Sequence, residues 1–170
     1  MDVGDAISLV HGHADVYRLF DDPMRLREIA AALVEPFRGE VTKVAGMEAR
    51  GFVFATAAAL DLNLGLVPIR KGGGIFPGAK EECETEPDWR GNRSVLRVQR
   101  AALGKGDRVL LVDDWIETGA QARGAKQLVE ACGAQLVGVA TVVCELAHEL
   151  RDDFGRLHFL VEASQLSSGC

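Results

Sequence analysis

The chain has no apolar run long enough to cross a bilayer, no Cys-x-x-Cys pair and no excess of basic residues, and each absence removes a class of function. A membrane span needs about 20 consecutive apolar residues, so a transmembrane role is not expected. The opening "MDVGDAISLV" lacks the basic start and apolar core of a secretory leader, which makes the cytoplasm the expected location. Cys83, Cys132, Cys144 and Cys170 are scattered and have no histidine at ligand spacing, so they read as reduced thiols rather than a disulfide frame or zinc site. A formal net charge of -6 argues against a nucleic-acid partner but leaves room for a local basic patch that holds an anionic small molecule. Low-complexity tracts and internal repeats are also missing. What remains, 170 residues with 48% hydrophobic and 26% charged, is the composition of one globular domain spanning 1–170.

Hydrophobic patterning gives the order of elements. After Asp21-Asp22, Pro23 opens "PMRLREIAAALVEPF", with Leu26, Ile29, Ala30, Leu33 and Phe37 at helical spacing. "TKVAG", "GFVFATAAALDL" and "GLVPIR" then read as strand, helix and strand. From 71 to about 93 the pattern stops at a triple glycine, two prolines and a cluster of acids, which predicts a long flexible loop, either a functional lid or a surface insertion. Strands resume in "RSVLRVQ" and "RVLLVDD", followed by a helix over roughly 119–132 and strands in "QLVGVATVVCEL" and "LHFLVEA". Continuously apolar strands alternating with helices predict an α/β fold, doubly wound, with a mostly parallel sheet covered by helices on both faces.

The richest chemistry lies in "VLLVDDWIETGAQ", Val109 to Gln121. The segment leaving a buried central strand sits at the carboxyl edge of the sheet, where open α/β folds bind ligands. Two adjacent carboxylates there, Asp113 and Asp114, need donors, and the vicinal hydroxyls of a ribose would supply them. Thr118-Gly119-Ala120-Gln121 opens a helix whose unpaired amides and positive dipole end suit a phosphate. The competing reading makes Asp114 or Thr118 a simple N-cap and leaves the acids solvated in a loop.

Together these residues resemble the signature of the type I phosphoribosyltransferases: an aliphatic strand, two acids, two variable residues, and a small-Thr-Gly turn. "VAGMEARGFVFATAAALDLNLGLVPIRK" is similar to the adenine branch of that family, with an acid, a small residue, Arg-Gly-Phe and a later Ile-Arg-Lys. The likeness runs from about Asp15 to Glu145. It implies that Asp113 and Asp114 take the ribose diol and that Thr118, Gly119, Ala120 and Gln121 take the 5-phosphate of 5-phosphoribosyl-1-diphosphate. It also implies a diphosphate loop at Glu48-Ala49-Arg50 with a cis peptide between Glu48 and Ala49. Arg50, Arg70 and Lys71 would face the leaving diphosphate, although each alone reads equally well as a solvated surface cation. Mg²⁺ is the implied cofactor, held through the substrate diphosphate rather than by protein ligands. The remaining implied partners are a purine nucleobase and a second copy in a homodimer, and the loop at 71–93 becomes a hood over the sugar.

Several positions depart from the adenine pattern. The Glu-Tyr-Gly of the hood is replaced within "EPDWRGNR", a hood lysine by glycine in "RKGGGIFPG", and an N-terminal Phe-Arg-Asp by "HGHADVY", which places Ala14 at the arginine. In the phosphate turn, Glu117 and Ala120 stand where that branch has alanine and glycine. A carboxylate at 117 resembles the third acid of the hypoxanthine-guanine branch, near purine N7, so an acid–base role is expected for Glu117 beside Arg50 and Asp113 in the catalytic set. The rival readings are a 6-oxopurine as acceptor, or a sensor of phosphoribosyl diphosphate without turnover. Trp115 reads as a stacking platform or a core anchor. His11 and His13 lack a third metal partner, and His148 and His158 carry no signal.

Overall fold

A computed structural model describes residues 7–10, 13–73, 75–88 and 90–166. A seven-stranded sheet carries the molecule, in the order β5-β6-β4-β3-β7-β8-β9. Its strands are β3 (Lys43–Met47), β4 (Gly65–Lys71), β5 (Lys80–Glu84), β6 (Val95–Gln99), β7 (Arg108–Ile116), β8 (Gln135–Cys144) and β9 (Leu157–Glu162). From β4 to β9 neighbours run parallel, whereas β5 and β6 form an antiparallel hairpin added beside β4. Strands β1 (Ser8–Val10) and β2 (His13–Asp15) make a separate two-stranded ladder that the hydrophobic patterning does not indicate.

Three long helices cover the sheet, and the strand alternation assigns them to opposite faces. Leu110 and Val112 of β7 pack with Ile29 and Leu33 of α1 (Pro23–Val34) and Phe54 and Ala58 of α2 (Gly51–Leu62). Val109 and Leu111, one residue out of phase, pack with Ala125, Leu128 and Val129 of α3 (Ala120–Ala131). Both sets are buried, so a strand with no polar alternation follows from having helices on both sides. The doubly wound α/β expectation therefore holds.

Local chemistry sets the helix ends. Asp22 caps α1, its carboxylate accepting the amides of Met24 and Arg25 at 2.8 and 3.1 Å, with Pro23 at the first helical position. At the C-terminal end of α2, Asn63 turns the chain in the left-handed region, φ 55°. Helix α2 lies so close to β3 that a Cβ on Gly46 would stand 2.6 Å from that of Ala55.

One expectation needs correction. The segment 71–93 is not without regular structure, because β5 forms inside it and pairs along its length with β6. Lys80-Glu81-Glu82-Cys83-Glu84 has no apolar run to announce a strand. It is held by its backbone ladder to β6 and by Cys83 packed on α3, with a cross-strand charge pair, Arg97 Nε to Glu82 Oε1 at 2.7 Å, alongside. Charged side chains suit its place at the sheet edge, where an uncharged strand would invite pairing with other chains. No helix among the described residues is long and apolar enough to cross a membrane.

Candidate active site

Strand order reverses at β3, since the chain goes from β3 outward to β4 and then returns to place β7 on the other side. Beyond the carboxyl ends of β3 and β7 such a reversal leaves a crevice. A cavity of about 450 Å³ lies there, lined by Glu48, Ala49 and Arg50 after β3 and by the continuous stretch Asp113 to Ala122, which runs from the last residues of β7 into α3. Lys71 enters at the end of β4. Of the residues singled out in the sequence, Ala49, Arg50, Lys71, Asp113, Asp114, Glu117, Thr118, Gly119, Ala120 and Gln121 all reach this one cavity. Arg70 does not line it; its guanidinium lies 3.4 Å from Glu48 Oε1.

The loop after β3 is held from below. Glu48 donates its amide to the Ile69 carbonyl at 2.9 Å and accepts the Lys71 amide on Oε2 at 2.8 Å, so two bonds tie it to β4. The Glu48–Ala49 peptide is cis, the conformation the resemblance implied. Arg50 then reaches across to β7, its Nε 2.7 Å from Oδ2 of Asp114.

The two acids have different surroundings. Asp114 is only 5% exposed, and its buried Oδ2 accepts no well-aligned hydrogen bond despite the nearby guanidinium. Asp113 lies on the first residue of α2, where a Cβ on Gly51 would come within 2.4 Å of its Oδ1. That oxygen also accepts the Asp114 amide at 2.9 Å. Burial, followed by the charge of Asp114, holds the Asp113 carboxyl well above the ordinary 3.8. The Arg-Gly-Phe and Asp-Asp motifs, distant in sequence, are thus one packing unit. Glycine at 51 is what leaves room for Asp113.

The turn before α3 has the form of an anion site. Gly119 sits at φ 76°, a conformation that favours glycine, and it is walled by Phe154, Leu146 and the Arg123 guanidinium, each within 3.2 Å of where a Cβ would stand. Thr118 Oγ1 accepts the Ala120 amide at 3.3 Å. The next amides belong to the first helical turn, which has no intrahelical acceptors for them, and they open the positive end of α3. Glu117 is exposed on the same wall.

Sequence reasoning expected the segment 71–93 over the sugar but singled out none of the residues of the opposite wall. Thr85, Asp88, Asn92 and Ser94, from the hairpin β5–β6 and the turn joining its strands, also line the cavity, as does Tyr17. Asp88 builds that turn by accepting the amides of Arg90 and Asn92, both at 2.8 Å, with Gly91 at φ 80°. The Asp-x-x-Gly spacing in "EPDWRGN" was the available signal. Trp115 is half-buried against the core and donates Nε1 to Glu145 at 3.0 Å, so it has an anchor's contacts while touching the cavity. His11 lies outside the described residues. His158 is engaged with the Ala32 carbonyl of α1 and does not line the cavity. Among the described residues no three His, Cys, Asp or Glu side chains are grouped to hold a metal.

Comparison with known proteins agrees with this geometry. Residues 18–160 match the family model described as the phosphoribosyl transferase domain. A protein of Methylococcus capsulatus named adenine phosphoribosyltransferase is 45% identical over 130 residues, 76% of this chain and 74% of that one. The crystal structure of adenine phosphoribosyltransferase from Rhodothermus marinus superposes with a TM-score of 0.81 at 30% identity, covering 94% of this chain and 96% of the other. That of the Trypanosoma brucei enzyme, solved in complex with AMP, pyrophosphate and ribose-5-phosphate, gives 0.82 at 26% identity over 97% and 79%.

Proposed function

Because the chain belongs to the phosphoribosyltransferase family, we propose that it transfers the 5-phosphoribosyl group of 5-phosphoribosyl-1-diphosphate to adenine and releases diphosphate. The observation that carries this reading is the meeting, in one cavity, of two sites suited to anions on either side of a pair of carboxylates. The turn Thr118–Gln121 takes the 5-phosphate, Asp113 and Asp114 accept the ribose hydroxyls, and Ala49, Arg50 and Lys71 face the diphosphate. Adenine is the base because the relatives at 40–45% identity carry that name.

In the reaction the bond from the anomeric carbon to the diphosphate oxygen breaks as a bond to a ring nitrogen of the base forms, and positive character grows on the sugar between them. Asp113 and Asp114 hold the sugar below that charge, and Arg50 and Lys71 compensate the leaving oxygens. The hairpin β5–β6 and the turn at its tip exclude water from the sugar, which otherwise would accept it. A proton leaves the base, and Glu117 is the carboxylate on the wall placed to take it.

Mg²⁺ fits this site as a cation shared with substrate. It favours oxygen ligands, and with no complete protein cage among the described residues it would be held through the oxygens of the substrate diphosphate, in the cavity that Asp113 and Asp114 also line. When bound it would neutralise charge on the leaving diphosphate. A homodimer and a cytoplasmic location belong to the same reading.

The test is a panel of purine and pyrimidine bases with labelled phosphoribosyl diphosphate and Mg²⁺. Labelled AMP from adenine is expected. Glu117 favours a second reading, a 6-oxopurine as acceptor, and labelled product from hypoxanthine or guanine alone would establish that one instead.

A further inference from the structure

Arg123 sits in the first turn of α3, where the helix dipole disfavours a cation, yet it is the most heavily engaged side chain near the phosphate turn. Its Nη2 donates to the Thr118 carbonyl at 3.0 Å. Nε donates to Glu86 Oε2 at 2.9 Å, and Nη1 lies 3.3 Å from Asp153 Oδ2. The guanidinium also lies against Gly119, within 2.9 Å of where a Cβ would stand. One side chain therefore joins the turn before α3, the start of the hood's distal turn, and the helical segment after β8.

We propose that Arg123 is a positioning residue that couples the hood hairpin to the phosphate turn, so that affinity for the 5-phosphate end of the substrate depends on the Glu86–Arg123 contact. This rests on the phosphoribosyl-transfer reading of the same cavity. A carbonyl oxygen facing a bound phosphate repels it. Arg123 draws the Thr118 carbonyl toward itself and leaves the succeeding amides for the anion. Glu86 and Asp153 offset the cation's charge and fix its plane, which a planar guanidinium with several donors can satisfy at once and an ammonium cannot.

The hairpin's seat supports this. A Cβ on Gly124, the next residue, would meet Leu96, Thr85 and Cys83 at 2.8–3.4 Å, and the Cys83 thiol donates to the Gly124 carbonyl at 3.3 Å. Strands β5 and β6 are thus docked directly on α3. Thr85 and Ser94, at the end of that docked hairpin, line the cavity, while Glu86 comes immediately after Thr85. A shift of the distal turn pulls on Glu86, then on Arg123, and so on the Thr118 carbonyl.

The test compares Arg123→Ala, Arg123→Lys, Glu86→Gln and the double variant Arg123→Ala/Glu86→Gln, each first shown to melt near the parent. In ligand-free protein, hydrogen exchange should quicken in Arg123→Ala at both 118–121 and 86–93. Calorimetric titration with phosphoribosyl diphosphate and Mg²⁺ should show Arg123→Ala weakened at least tenfold, Arg123→Lys only partly restored, and the double variant no weaker than Arg123→Ala. In turnover, KM for phosphoribosyl diphosphate should rise while KM for the base stays within twofold. Unchanged exchange at either segment in folded Arg123→Ala, or effects of the two single changes that multiply in the double, would overturn the coupling. Parent protein that binds no phosphoribosyl diphosphate, yet shows the coupled exchange, would overturn the functional reading and leave the coupling standing.

Discussion

Arg50 Nε lies 2.7 Å from Oδ2 of Asp114, so the loop after β3 and the end of β7 meet through one ion pair at the bottom of the cavity. In the proposed reaction the pair joins the residue that would face the diphosphate with one that would hold the sugar. Asp114 Oδ2 is buried and faces the guanidinium, so this oxygen is committed to the pair, and the proposed ribose contact is the task of the carboxylates' remaining acceptor positions.

The proposed ribose contact can be measured. Replacing Asp113 and Asp114 together by asparagine keeps shape and volume but removes both carboxyl groups, the Asp114 charge among them. Hydrogen bonds to charged groups contribute about 1.5–3 kcal/mol each, so affinity for phosphoribosyl diphosphate should fall by at least about tenfold. Titration calorimetry on the folded double variant checks it. Parental affinity would remove the ribose site from these residues.

Asp113 also gives the protein a pH dependence. Its carboxyl is held well above 3.8 in the folded chain, chiefly by burial, so the folded state binds its proton more tightly than the unfolded state does. The contribution to stability is full below the unfolded value and is lost as pH rises through the folded one. Asp113→Asn removes this loss. Relative to the parent, its melting temperature should therefore rise as pH increases above about 4, and scanning calorimetry from acid to neutral pH reads the difference. A difference that does not change with pH would contradict the assigned burial.

The proposed hood can be probed by cutting. Strands β5 and β6 are paired and docked on α3, so proteolysis between Lys71 and Arg93 should fall in 72–79 and 86–93 and spare Lys80–Glu84. Phosphoribosyl diphosphate with Mg²⁺ should protect both segments if they close over the sugar. Mass spectrometry of the fragments locates the cuts, and equal cutting with and without ligand would argue against a lid.

The contrast between the two walls of the cavity shows what the sequence makes legible. Val109 to Gln121 is one contiguous stretch in which strand, acids, turn and helix come in order, so both its structure and its chemistry can be read from local pattern. Helix α2 and strand β4 are equally local. The hairpin wall is different. Lys80 to Glu84 is charged at nearly every position, and its strand exists because Arg97 and its neighbours lie opposite, a pairing set by tertiary context. Thr85 and Ser94 reach the cavity only as a consequence of that pairing. Nor could spacing reveal that Gly51 makes room for Asp113, since 62 residues separate them.

Glu117, like Ala120, departs from the adenine pattern and still stays on the cavity wall. A carboxylate next to a phosphate turn suffers like-charge repulsion, and it persists only where it points elsewhere or faces a donor. The side chain is exposed, at the end of β7, directly after Ile116, whose carbonyl accepts the Glu145 amide at 2.8 Å and fixes the strand end. A nucleobase entering beside the sugar carries such a donor, a ring N–H that must lose its proton as the glycosidic bond forms. If Glu117 takes that proton, Glu117→Gln keeps the shape, removes the base, and lowers turnover by about two to four powers of ten, the usual contribution of a positioned acid or base. Binding of phosphoribosyl diphosphate should change little, or tighten slightly as the repulsion is relieved. Steady-state rates across pH 5–9, with calorimetric titration on the same samples, separate the two effects. If Glu117→Gln matches the parent rate throughout that range, the carboxylate is a tolerated surface change, and the proton leaves the base to water.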